Sequence, residues 1–335
     1  MSAVLAPSQA APEPIVAVRD LAKRYVIGGG LWPGSGRTLH AVDGVSFDVQ
    51  AGETLGLVGE SGCGKSTLGR CITRLYDISE GELRFEGEDI THAGMRRLKP
   101  FRRKMQMIFQ DPSASLNPRR RIGDLIGEPL RVHKIRPRGE VQGRVRELLE
   151  LVGLSPDYGE RYPHEFSGGQ RQRIGIARAL AMEPQLIVAD EPVSALDVSV
   201  QAQIVNLFAD LRERLALTYI FIAHDLGVVR QVSTRTAVMY LGSIVELGPT
   251  DTTFAKPAHP YTQALISAIP QPRARRGAAS GRIILEGELP SPLDPPTGCK
   301  FSTRCAFAAD RCRAERPKLL PLADERSVAC HFPRA

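Results

Sequence analysis

Apolar positions mark elements along most of this chain. Residues 15–25 read as a strand leading to Tyr25. "AVDGVSFDV" and "ELRFEG" alternate apolar and polar positions, as half-buried strands do, so the N-terminal part is expected to be partly antiparallel. The Gly-rich stretch "VIGGGLWPGSGRTLH" reads as a loop. A short apolar run over Thr54–Val58 precedes "GESGCGKSTL". Beyond it Leu68, Cys71, Ile72 and Leu75 recur at helical spacing. Residues 105–109 form another apolar strand, ending at Gln110, and the turn-rich "DPSASLNP" follows. Residues 140–153 place Val145, Leu148, Leu149 and Val152 on one helical face, so 111–165 is expected to be a helical insertion. "QLIVADEP" and "TYIFIAHD" read as buried strands. The helix between them carries Val200, Ile204, Leu207, Leu211 and Leu215 near one face. Strands alternating with helices predict an α/β chain with a parallel sheet. After about residue 256 the chain becomes proline-rich, and "QPRARRGAASGR" reads as a flexible linker.

Composition narrows the class. The 335 residues suffice for a sizeable core, and 42% hydrophobic with 24% charged residues is ordinary for a soluble globular protein. There is no run of about 18 apolar residues to span a bilayer. "MSAVLAPSQAAPEPIV" lacks the basic start and apolar core of a secretory signal and reads as a disordered tail over 1–14, so a cytosolic location is expected. The net charge of +7 is spread along the chain, with local runs at "RRLKPFRRK" and "PRRR". Nucleic acid or an anionic membrane surface would suit such charge. Solvated faces plus phosphate contacts explain it as well, and no nucleic-acid partner is expected.

The chemistry lies in three stretches. Gly59, Gly64, Lys65 and Ser66 match G-x-x-x-x-G-K-[ST], a turn whose backbone N–H groups cradle phosphates while the lysine reaches the terminal ones. The strand before it and the helix after it supply the required context of a P-loop. The hydroxyl of Ser66 would sit on Mg²⁺. Asp190 and Glu191 end an apolar strand, where Asp190 can hold Mg²⁺ and Glu191 can act as general base on an attacking water. In "FSGGQRQRIGIARAL", Ser167, Gly168, Gly169 and Gln170 offer a second anion site just before a helix. Two phosphate sites around one P-loop make sense if two chains share each nucleotide.

The ordered set of motifs resembles the ATP-binding subunits of ABC transporters, over about residues 15–255. The resemblance implies a P-loop NTPase (RecA-like) core with an antiparallel β subdomain and a helical insertion. It also implies ATP contacts at Gly59, Ser61, Gly62, Cys63, Gly64, Lys65, Ser66 and Thr67, and a signature motif at 167–170 with Phe166 where leucine is commoner. Gln110 is similar to the Q-loop glutamine that senses γ-phosphate and Mg²⁺, residues 194–197 to the D-loop, and His224 to the switch histidine. Tyr25, with Trp32 nearby, stands where an aromatic residue usually stacks on adenine. "KPAHPYTQALISAIP" and "LPSPLDPPTGCKFSTRC" resemble the tail of oligopeptide and dipeptide importer ATPases, here residues 256–335. Implied partners are a second ATPase subunit (self or paralogue), two transmembrane permease subunits and an extracytoplasmic peptide-binding protein. The implied address is peripheral, on the cytoplasmic face of the membrane. An importer for another solute, such as nickel or glutathione, and a soluble ABC ATPase acting on nucleic acid are the alternatives.

Cys299, Cys305, Cys312 and Cys330 crowd the C-terminal extension. Thiols so grouped in a cytosolic chain point to soft-metal ligation, which would staple a segment too poor in apolar residues to build a core. The spacing departs from the C-x₂₋₄-C pairs of structural zinc and from common ferredoxin runs. Some members of the resembled peptide-importer group carry an iron–sulfur cluster in this tail. The expectation is therefore a [4Fe–4S] cluster, with Zn²⁺ and unligated thiols or disulfides as rivals.

Overall fold

The computed structural model describes residues 13–28, 36–269 and 281–334. Residues 1–12 of the expected N-terminal tail, Trp32 and most of the linker lie outside the described residues.

Strands β1 (Val16–Ile27), β2 (Arg37–Val49), β4 (Glu80–Phe85) and β5 (Glu88–Asp89) form an antiparallel sheet in the order β2-β1-β4-β5. A second, eight-stranded sheet has the order β11-β12-β10-β9-β3-β8-β7-β6. Its strands are β3 (Thr54–Val58), β6 (Met105–Ile108), β7 (Leu186–Asp190), β8 (Thr218–Ile222), β9 (Arg235–Tyr240), β10 (Ser243–Pro249), β11 (Leu320–Pro321) and β12 (Ser327–Val328). The five strands from β9 to β6 run parallel, and those from β9 outward to β11 pair antiparallel.

The central strands are apolar throughout because both of their faces are covered. Alternate residues separate the two cores. Ile187, Ala189, Tyr219 and Phe221 face a core shared with Leu148, Leu149, Ile174 and Phe208. Leu186, Val188, Ile220 and Ile222 face another, shared with Leu68, Cys71 and Ile72 and with Val16 and Val18 of the antiparallel sheet. The P-loop therefore leaves a strand clamped from both sides.

The helices are α1 (Lys65–Ile72), α2 (Met95–Lys104), α3 (Pro112–Ser115), α4 (Ile122–Val132), α5 (Val141–Leu151), α6 (Gly168–Leu180), α7 (Val198–Leu215), α8 (Leu226–Val232), α9 (Thr250–Ala255), α10 (Pro260–Ser267) and α11 (Asp310–Ala314). The segment expected to be a helical insertion holds α3, α4, α5 and short 3₁₀ turns. Helix α1 is shorter than its apolar spacing predicts. It stops at Ile72, Arg74 takes φ +53°, and Leu75 is 47% exposed. The hydroxyl of Thr73 donates to Gly69 O at 3.0 Å and tightens the end.

The C-terminal extension is built onto the second sheet. Strand β12 pairs with β10, at Glu246↔Val328 and Leu247↔Ser327. Glu246 is fully buried, and its carboxylate accepts from Ala258 N at 2.8 Å and His259 N at 2.9 Å. The equally buried Arg326 lies 3.5 Å away as its counter-ion. A buried carboxylate is tolerable only with such company.

Candidate functional site

From Val58 the chain turns tightly before α1 begins at Lys65. Gly64 has φ +105°, and a Cβ there would lie 2.1 Å from Ala41 O. A Cβ on Gly59 would lie 2.1 Å from Met239 O. The loop is thus pressed against β2 and β9, and only bare backbone fits. Lys65 is buried, and its Nζ donates back to Gly59 O at 2.8 Å and Glu60 O at 2.9 Å. Cys63 turns its thiol into the core, where burial raises its pKa.

A cleft of about 560 Å³ opens above this turn. Ser61, Gly62, Gly64, Lys65, Ser66 and Thr67 form its floor, and Tyr25 stands in its wall. Gln110, Glu191 and His224 approach from the ends of β6, β7 and β8. They meet at one oxygen: Glu191 Oε2 accepts from Gln110 Nε2 at 3.0 Å and lies 3.2 Å from His224 Nδ1. Glu191 has φ +45°, a strained setting held by its N–H donating to Ile222 O at 2.9 Å. The sequence motifs therefore converge, although they come from positions far apart in the chain.

Two of the three residues expected to hold Mg²⁺, Ser66 and Asp190, stand together, while Gln110 is bonded to Glu191. Ser66 donates to Asp190 Oδ1 at 2.7 Å. Asp190 Oδ2 is buried without a hydrogen bond among the described residues, with Arg70 3.8 Å away. Burial raises the pKa of Asp190. An orphaned carboxylate oxygen beside a hydroxyl, next to a phosphate cradle, is the hard-oxygen donor set that Mg²⁺ takes.

The second anion site stands elsewhere. Ser167 and Gln170 form a reciprocal capping box at the start of α6, with Gln170 N to Ser167 Oγ at 3.4 Å and Ser167 N to Gln170 Oε1 at 3.0 Å. Ser167 and Gly168 are exposed, and none of residues 167–170 lines the P-loop cleft. Gly169 is packed so closely that a Cβ would lie 2.4 Å from Val200 Cγ1.

Sequence reasoning missed three wall residues. Leu39 and Ala41 of β2 and Pro292 of the extension line the cleft, and His40 N donates to Pro292 O at 3.1 Å. The apolar alternation of β2 carried a signal for Ala41, whereas Leu39 falls in the stretch read as a loop, which the structure makes strand from Arg37 onward. Nothing in its spacing marks Pro292.

The iron–sulfur expectation, and its zinc rival, are corrected. Among the described residues no group of three or more His, Cys, Asp or Glu side chains is placed to hold a metal ion. Cys299, Cys305, Cys312 and Cys330 are free cysteines. Burial pushes the Cys299 thiol up to about 11 and raises those of Cys305 and Cys330. The side chains act in packing: Cys299 and Cys305 pack against the main core, and Cys312 is buried. The segment is instead stapled by the β10–β12 pairing and the core residue Phe301.

Comparison with known proteins fits this geometry. The family model for the ABC transporter matches residues 42–194, and that for the oligopeptide/dipeptide transporter C-terminal region matches residues 245–312. The oligopeptide transport ATP-binding protein AppF of Bacillus subtilis is 52% identical over 96% of this chain and 98% of that protein. The di/tripeptide transport ATP-binding protein DppF of Pseudomonas aeruginosa is 48% identical over 95% of this chain and 98% of that protein. Among solved structures, a dimeric ATP-binding cassette in a post-hydrolysis state with ADP and phosphate aligns with a TM-score of 0.63 at 28% identity, over 70% of this chain and 98% of that one.

Proposed function

The chain belongs to the ATP-binding subunits of ABC transporters, in the oligopeptide/dipeptide branch, and from that membership we propose that it hydrolyses ATP to energise import of di- or oligopeptides. The observation that carries the reading is the meeting of Gln110, Glu191 and His224 over the P-loop turn.

The residues take the following roles. N–H groups of the loop from Gly59 to Thr67, Cys63 among them, bind the phosphates. Lys65 leaves the carbonyls of Gly59 and Glu60 and reaches the terminal phosphates. Tyr25 stacks on the adenine. Ser66, Gln110 and Asp190 would hold Mg²⁺, which when bound neutralises charge on the β- and γ-phosphates. Glu191 accepts the proton of the attacking water. Gln110 and His224, both bonded to its carboxylate, fix its aim.

One chain does not complete the site in this reading. Ser167, Gly168, Gly169 and Gln170 stand outside the cleft at a helix start where Ser167 and Gly168 are exposed, ready to close over the γ-phosphate of a second ATPase subunit, identical or paralogous. Two transmembrane permeases and an extracytoplasmic peptide-binding protein complete the assembly. No helix among the described residues is long and apolar enough to cross a membrane, which fits a peripheral subunit docked on its cytoplasmic side.

The test is reconstitution of the complex in vesicles with labelled di- and oligopeptides, nickel and glutathione as competing solutes. ATP-dependent peptide uptake is expected. Uptake of nickel or glutathione with peptides excluded would reassign the solute while keeping the ATPase.

A further inference from the structure

The P-loop carries an acid inside its own phosphate-binding turn. Glu60 follows Gly59, and a carboxylate there opposes the polyphosphate the loop is built to hold. Its counter-charge comes from the C-terminal extension, 244 residues away in sequence. Arg304 Nη1 donates to Glu60 Oε2 at 2.8 Å and Nη2 to Oε1 at 3.2 Å, a bidentate fork. The Arg304 side chain is 10% exposed and that of Glu60 28%, so water screens the pair only in part.

The extension grips the same residue through the main chain. Glu60 N donates to Tyr261 Oη at 2.9 Å, while Glu60 O accepts from Lys65 Nζ. Tyr261 is fully buried and meets the ring of Tyr240 at 4.7 Å. Phe301 closes against both rings, at 5.2 Å and 5.5 Å. Arg304 follows Phe301 in one tight turn, with Arg304 N donating to Phe301 O at 3.0 Å. A rigid aromatic block thus aims the guanidinium at the loop.

We propose that Arg304 is a positioning residue for nucleotide binding, which neutralises Glu60 and so keeps the P-loop open to polyphosphate. With the pair intact, the turn offers the phosphates its N–H donors and Lys65 without an opposing charge. With Arg304 removed, a bare carboxylate stands beside Ser61 and Gly62, which line the cleft. The affinity of the cassette for ATP is therefore set in part by the extension. The proposal rests on the ATPase reading above.

The test is MgATP binding to the purified full chain, with folding checked by circular dichroism. R304A should raise the Kd roughly threefold to thirtyfold, the range one uncompensated charge imposes through a partly screened medium. E60Q in the R304A background should restore binding to within about threefold of the native chain, since the charge needing compensation is gone. E60Q alone should bind ATP more tightly than the native chain. A loss of packing alone would not be rescued by E60Q. R304A that binds like the native chain, or a defect undiminished in R304A/E60Q, overturns the proposal. Should R304A fail to fold, E60Q decides: tighter binding supports the proposal, and unchanged or weaker binding overturns it. A native chain that binds no MgATP would take down the nucleotide reading itself, and the proposal with it.

Discussion

At Glu191 a single carboxylate oxygen is shared by an amide and an imidazole, on a residue with left-handed backbone. Such a group is aimed rather than merely present, so changing its chemistry while keeping its shape should be costly. Glu191→Gln in the assembled transporter should lower steady-state ATP hydrolysis by about 10²–10⁴-fold, because the amide cannot take a proton from water. MgATP binding should persist, and paired turnover and binding assays check both halves. Native-rate hydrolysis by this variant would remove Glu191 from the role of base. At this scale most of the site was legible in the sequence, because Gly59, Lys65, Asp190 and Glu191 belong to short patterns set by local geometry. Pro292 and Arg304 were not legible. Their contacts with the nucleotide cleft and the P-loop depend on how a distant segment folds back, and no local pattern records that.

The elements show the same division. Strands β3, β7 and β8 were readable because burial on both faces demands continuous apolar runs. The end of α1 was not, because Leu75 continues the apolar spacing while Arg74 has already left the helix. Between Gln110 and residue 135 lie α3 and α4, tied to the ATP-site strand β6 by one short turn. We propose that this segment docks the membrane subunits. Val132 is 63% exposed there, and Val132→Glu should cut transport severalfold while hydrolysis continues, as comparison of uptake and phosphate release would reveal. Unchanged uptake across a surface scan of 111–135 would count against docking. Helix α10 gives a different prediction. Its N-cap, His259, is buried, accepts from Tyr261 N at 3.1 Å through Nδ1, and has its pKa pushed down to about 3 by burial. The unfolded chain takes up a proton near pH 6.5, whereas the folded chain does so only near pH 3. Stability from this group is therefore complete above pH 6.5 and lost as pH falls toward 3, by up to about 1.4 kcal/mol per unit. Urea unfolding between pH 7 and 4 should show this slope, and His259→Asn should flatten it. An equal slope in both proteins would reject the assignment.

In the proposed pairing of ATPase subunits, the whole molecule presents half of two sites. Its P-loop cleft lacks the residues at the start of α6, of which Ser167 and Gly168 stand exposed where another subunit could use them. Cysteines introduced at Ser61 and Ser167 should cross-link between ATPase subunits only when ATP is bound. ATP-dependent links confined within single chains would rule out the head-to-tail arrangement. The pairing of β12 with β10 matters for a separate reason. Without residues beyond 255, β10 becomes an edge strand whose open N–H and C=O groups invite another copy to add itself. Glu246 would at the same time lose the amides of Ala258 and His259 and its counter-ion Arg326. A cassette trimmed to the part that looks self-sufficient by motif should therefore precipitate on expression. To keep such a trimmed cassette soluble, a designer would have to close that edge with a lysine or proline and replace the stranded acid.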